Sequence, residues 1–261
     1  MYGVDAFADE AFRGNPAAIC VVSEGVDADW MQSVAGEMNL SETAFVQPGI
    51  GGGWGLRWFT PGTEVDLCGH ATLAAAHVLW ETGRVDGMEP IRFDTRSGRL
   101  ECRRDRAGGV TMDFPERPAQ AMAMPEGLSA ALGSDVRWCG RSVDDLLVEL
   151  PHAATVRGLN PDLGALARFP VRGVIVTAPS DGVGSDFVSR FFAPAVGVPE
   201  DPVTGSAHCT LAGYWAERLG KTRLVGRQVS RRGGLVGVAL KGGRVELTGS
   251  AITVWRGEWV G

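Results

Sequence analysis

No stretch of this chain approaches the roughly 20 consecutive apolar residues of a membrane-spanning helix, so no membrane partner is expected. Basic residues cluster nowhere beyond Arg103-Arg104 and Arg231-Arg232, and the net charge is −6. Such a surface cannot neutralise a phosphate backbone, which excludes nucleic acid as the expected ligand. The five cysteines (Cys20, Cys68, Cys102, Cys139, Cys209) are odd in number and show no CxxC spacing. They read as reduced thiols in a cytoplasmic protein, not as a disulfide frame or a zinc site. Residues 1–7 lack a basic segment followed by an apolar core, so no secretory signal is expected. Gly49–Gly55 joins two strand-like runs and opens no helix; it reads as a hairpin tip, not a phosphate loop. With no cofactor motif in view, neither cofactor nor metal is expected.

What the chain does have is a repeat. Arg57-Trp-Phe-Thr-Pro61 leads through Cys68-Gly-His-Ala71 into the apolar run 72–80. Arg190-Phe-Phe-Ala-Pro194 leads through Thr204-Gly-Ser-Ala207 into 208–215. A repeat fixes architecture before anything else, and two copies are too few for a solenoid. The 261 residues, 44% hydrophobic and 21% charged, suffice for two cores. The expected fold is α+β: two pseudo-symmetric domains, each a strand barrel wrapped around a central apolar helix, with the site in a cleft between them. The three prolines within 115–125 put the boundary there, giving domains 1–115 and 116–250. The final strand, 251–261, is a candidate to rejoin the first.

Local pattern fills in the elements. Trp30, Met31, Val34, Ala35 and Met38 space out an amphipathic helix over Ala28–Met38. Ala71–Trp80 and Ala207–Leu219 are apolar almost all round, which predicts helices buried on nearly every face, ended by Gly83 and Gly220. Short helices are expected at Leu128–Leu132 and Leu163–Ala167. Strands are expected at 4–7, 17–22, 43–47, 54–59, 91–93, 100–104 and 110–114. Further strands fall at 136–139, 146–150, 171–178, 187–192, 224–229, 235–241, 244–248 and 252–255.

The two long helices each begin at a glycine–small-residue turn, which leaves free N–H groups and a positive dipole end. Asp201-Pro202 reads as a cap followed by a first-turn proline. Converging helix ends would hold a small carboxylate or phosphate without any arginine. Glu42, Asp66, Cys68, His70, Asp201, Ser206 and His208 stand around that site. A carboxylate beside an apolar wall can take and return a proton near neutral pH, so the chemistry best served is isomerisation, epimerisation or tautomerisation.

Asn39-Leu-Ser-Glu42-Thr, Asp66-Leu-Cys-Gly-His70-Ala-Thr and Glu200-Asp-Pro-Val-Thr-Gly-Ser206-Ala resemble the three marker segments of the PhzF-like isomerases, which share the diaminopimelate epimerase fold. Val4-Asp-Ala-Phe7 and Gly14-Asn-Pro16-Ala match as well, and the similarity runs over essentially the whole length. The resemblance implies a cofactor-independent, homodimeric isomerase acting on a small carboxylate-bearing metabolite. In the phenazine-pathway member the matching glutamate shuttles a proton within trans-2,3-dihydro-3-hydroxyanthranilate. Glu42, His70 and Asp201 would then be catalytic, and Ser41, Gly69, Ala71, Gly205 and Ser206 would contact the substrate.

Other readings compete. The related epimerases use one cysteine per domain; Cys68 has Thr204 as its repeat mate, so a two-thiol mechanism fits poorly, though Cys68 stays a candidate thiol. An epimerase using Glu42 with Cys68, or a metabolite-binding protein without catalysis, are the alternatives. Ser206 and His208, two apart on a helix, point to different faces and do not form a hydrolase pair. His70 and His77 share a helical face, but His77 reads as a core histidine, no carboxylate at helical spacing being evident.

Overall fold

The computed structural model describes residues 1–23, 25–49 and 52–260. Residues 50 and 51, in the glycine-rich hairpin, lie outside that set. The chain divides into two compact units, Met1–Asp113 with Thr248–Gly261, and Phe114–Leu247.

In the first unit the order is β1 (Tyr2–Ala6), β2 (Asn15–Val21), α1 (Ala28–Met38), β3 (Glu42–Pro48), β4 (Trp54–Phe59), β5 (Glu64–Val65), α2 (Gly69–Glu81), β6 (Ile91–Thr95), β7 (Gly98–Arg104) and β8 (Val110–Pro115). Most neighbours pair antiparallel. Two pairs, β2 with β3 and β4 with β6, are parallel. A parallel pair cannot be closed by a tight turn and needs a long crossover, which α1 and α2 supply.

The second unit repeats this wiring. It runs β9 (Gln120–Ala121), α3 (Leu128–Leu132), β10 (Trp138–Arg141), β11 (Asp145–Glu149), α4 (Ala153–Gly158), α5 (Leu163–Leu166), β12 (Gly173–Pro179), β13 (Phe187–Ala193), β14 (Val198–Asp201), α6 (Gly205–Leu219), β15 (Arg223–Gln228), β16 (Gly234–Lys241) and β17 (Arg244–Gly249). Its parallel pairs are β11 with β12 and β13 with β15, bridged by α4–α5 and by α6. The last strand, β18 (Ala251–Arg256), pairs antiparallel with β1, so the first unit is built from both ends of the chain.

Ten of the thirteen residues of α2 are buried, and it packs on β1, β2, β3 and β18. Alanines 71, 74, 75 and 76 let strands close in on the helix, while Leu73 and Leu79 fill the gaps between them. Full burial of such a leucine is worth roughly 1.5–3 kcal/mol. In the second unit α6 packs on β15 and β16 in the same way. By contrast α1 buries one face, Met31, Val34 and Ala35, over Cys20, Phe45 and Phe59. Its ends are set by Asp27, which caps the Asp29 N–H, and by left-handed Asn39.

The repeat extends to side chains. Arg57 on β4 donates two hydrogen bonds to Glu64 on β5, at 2.7 and 2.8 Å, and lies over the Phe59 ring. Arg190 on β13 does the same to Glu200 on β14, at 2.7 and 2.9 Å, over Phe192. Each two-pronged pair pins the short strand that delivers the chain to a helix start.

Candidate active site

The first strand pair of each half sets the site positions. In the parallel ladders Ala17 faces Glu42, and Asp145 faces Gly173, each at the start of its register. Glu42 therefore enters β3 where Gly173 enters β12. Glu42 stands beside His70, the second residue of α2, and Arg172, just before Gly173, reaches Ser206, the second residue of α6.

In the first unit Glu42, Cys68 and His70 come together. His70 is 5% exposed, and its Nε2 lies 3.2 Å from Glu42 Oε2, at ion-pair distance but out of hydrogen-bond alignment. On the other side of the ring, Nδ1 is 3.3 Å from Asn15 Nδ2 and 3.5 Å from Cys68 Sγ. An amide NH2 can only donate, so Nδ1 accepts and Nε2 carries the proton that faces Glu42. Burial pushes the His70 pKa down to about 3, so the imidazole is neutral at physiological pH. A neutral N–H beside a carboxylate can donate a hydrogen bond to it without cancelling its charge, which leaves the carboxylate able to act as a base. Cys68 precedes α2 with no side-chain capping bond and is 6% exposed. Together the three side chains also form a donor set suited to a soft divalent cation.

Ser41 sits half-buried just before Glu42, Gly69 opens α2, and Ala71 is fully buried one turn in. Asp66 is exposed; its carbonyl accepts from Ser97 Oγ at 2.6 Å. His77 corrects the core reading: it is half-buried, 3.1 Å from Thr253 Oγ1. A carboxylate does stand at helical spacing from it, since Glu81 Oε2 is 3.9 Å away.

The second unit differs from expectation at Asp201. It ends β14 and is no helix cap; α6 is capped by Thr204, whose hydroxyl donates to Asp201 Oδ2 at 2.5 Å. Pro202 lies in the connection, outside the first turn of the helix. The Thr204 N–H is taken by Gln228 Oε1 at 2.9 Å, and the Gln228 amide donates back to the Asp201 carbonyl at 2.7 Å. Gly205 is buried as the first residue of α6.

Ser206 meets an arginine, where none was expected. Arg172 Nη2 donates to Ser206 Oγ at 3.0 Å, while Nε and Nη2 grip Asp145 at 2.9 and 2.5 Å. Asp145 is 2% exposed, and burial raises its pKa against the opposing pull of Arg172. Because guanidinium has no acceptor, Ser206 Oγ must accept from it, which leaves the serine O–H free to donate outward. His208 goes elsewhere: Nδ1 is 2.8 Å from the Thr204 carbonyl, and its ring lies against Phe187. Burial lowers its pKa to about 4. Sequence reasoning missed Arg172, Asp145, Gln228 and Asn15; only Asn15 had a signal, in the Gly14-Asn15-Pro16 segment.

Several solved structures share this fold. The PhzF family protein of Enterococcus faecalis superposes with a TM-score of 0.92 at 42% identity, covering 97% of this chain and 96% of that one. A hydroxyproline epimerase of Agrobacterium vitis, at 11% identity, shares the fold alone, with a TM-score of 0.64 over 97% and 90% of the two chains. Fold and relatives define the class: an isomerase built on a duplicated α+β scaffold of the diaminopimelate epimerase type. An uncharacterized isomerase of Halalkalibacterium halodurans is 49% identical over 99% of this chain and 97% of its own. The phenazine biosynthesis-like protein family matches residues 4–257, and the chain belongs to it.

Proposed function

We propose that this isomerase moves a proton within a small carboxylate-bearing metabolite, with Glu42 as the acid/base. The observation that carries the reading is the 3.2 Å approach of Glu42 Oε2 to the neutral, buried His70. Glu42 removes a proton from carbon and returns it at another position. His70 donates through Nε2 to the carboxylate as its charge changes, and Asn15 holds the ring in that tautomer. In the second unit Asp201 and Ser206 hold the substrate, a role that the resemblance of their segment supports. The outward serine hydroxyl suits an acceptor oxygen such as a carboxylate.

The test is incubation of a panel of small cyclic and acyclic carboxylic acids in deuterium oxide, followed by mass spectrometry and NMR. Carbon-bound deuterium should appear with the native enzyme and be absent with Glu42→Gln. Exchange undiminished in that variant would sink the assignment. One contact favours a second reading: Cys68 Sγ lies 3.5 Å from His70 Nδ1, the spacing of a thiol beside a base. A thiol-dependent epimerase would lose exchange in Cys68→Ser while a Glu42-only isomerase keeps it.

A further inference from the structure

One donor atom each from Glu42, Cys68 and His70 lies within 4.8 Å of the other two. Zinc binds thiolate at about 2.3 Å and imidazole at about 2.0–2.1 Å, so adjacent S and N corners of a tetrahedron stand about 3.5 Å apart. Cys68 Sγ and His70 Nδ1 are 3.5 Å apart already. In the tautomer set by Asn15 the Nδ1 lone pair accepts from the Asn15 amide at 3.3 Å, and a metal held by Nδ1 and the thiol takes the place of that contact. Glu42, 19% exposed on its side chain, faces the Nε2 edge of the ring and swings toward the thiol, from within the 4.8 Å that spans the cluster, to become the third ligand.

We propose that Glu42, Cys68 and His70 form an inhibitory site for a thiophilic divalent cation, with Zn²⁺ as the physiological type. Binding replaces the Cys68 S–H bond by an S–Zn bond and releases that proton to solvent; His70 and Glu42 bind in the forms they already hold. A water completes the tetrahedron. Thiolate and imidazole favour zinc and cobalt over magnesium or calcium, which prefer all-oxygen shells. With its carboxylate on the metal, Glu42 can no longer receive a proton from carbon. The blocking half of the proposal rests on Glu42 being the acid/base; the binding half does not.

Chelator-treated full-length protein titrated with Co²⁺ gives a direct readout, because thiolate–cobalt bonding absorbs in the near ultraviolet. The band should saturate at a single equivalent, vanish on adding Zn²⁺, and be lost in Cys68→Ser. His70→Asn should weaken Co²⁺ binding more than about ten-fold, the effect that loss of even an outer partner of a ligand can have. Cys139→Ser, a thiol outside the cluster, should leave it unchanged. No band, or a band that survives Cys68→Ser, overturns the site. In the deuterium assay, Zn²⁺ should abolish exchange reversibly to chelator while Mg²⁺ has no effect. Exchange that persists at Zn²⁺ levels that displace Co²⁺ overturns the blockade and leaves the isomerase reading intact. A cobalt band in a protein that exchanges no acid confirms the site and instead sinks the Glu42 mechanism.

Discussion

Acidification should destabilise this protein well before its carboxylates titrate. His70 and His208 are buried neutral, with folded pKa values of about 3 and about 4 against 6.5 when exposed. A lowered histidine pKa means that the unfolded chain binds the proton first, so stability is full above pH 6.5 and falls as pH drops toward the folded values. At pH 5 each contributes a loss of about 2 kcal/mol, about 4 together, a large fraction of the roughly 5–15 kcal/mol of a folded domain. Near pH 5.5 the slope should approach about 2.5 kcal/mol per pH unit, some 1.8 protons taken up on unfolding. His77, also lowered by burial, adds in the same direction. Urea unfolding followed by circular dichroism from pH 5 to 7 measures it. His70→Asn and His208→Gln should each remove about half of that slope. A flat profile between pH 5 and 6.5, or one unchanged in the double variant, would refute the reasoning.

Asp145→Asn should destabilise by about 3–5 kcal/mol, because Asp145 is buried and its loss leaves Arg172 without its fork partner; thermal unfolding reads this. Arg172→Gln should raise the KM of whichever acid exchanges more than it lowers kcat, since Gln can accept from Ser206 and turn its hydroxyl inward. Gly173→Ala would place a methyl 2.5 Å from Phe191 Cζ and 2.8 Å from the Phe192 carbonyl, costing about 1–3 kcal/mol by chemical denaturation.

The long helices were legible because a buried cylinder leaves an unbroken apolar run, and α1 because one face and two caps mark it. Its bounds, Ala28–Met38, are those its spacing predicts. The two-residue β5 and four-residue β14 were not, since so short a strand exists only through its partner. Asp201 looked like a cap because proline followed it; the helix starts four residues on, where Gln228 from β15 supplies the capping acceptor. Arg172 meets Asp145 and Ser206 across 27 and 34 residues of chain, a meeting that only the folded ladder creates. Glu42, Cys68 and His70 were named from their segments, while the order of contacts along the imidazole was not readable there.

The return of β18 to β1 has a consequence for synthesis. A ribosome delivers residues 114–247 as a continuous folding unit before Ala251–Arg256 exists outside the exit tunnel. The half that carries Glu42 and His70 must wait, one flank of β1 uncovered, until the last strand emerges. The unit that begins the chain therefore cannot close before the unit encoded after it has been made, because its first strand is completed by a segment that lies beyond residue 247.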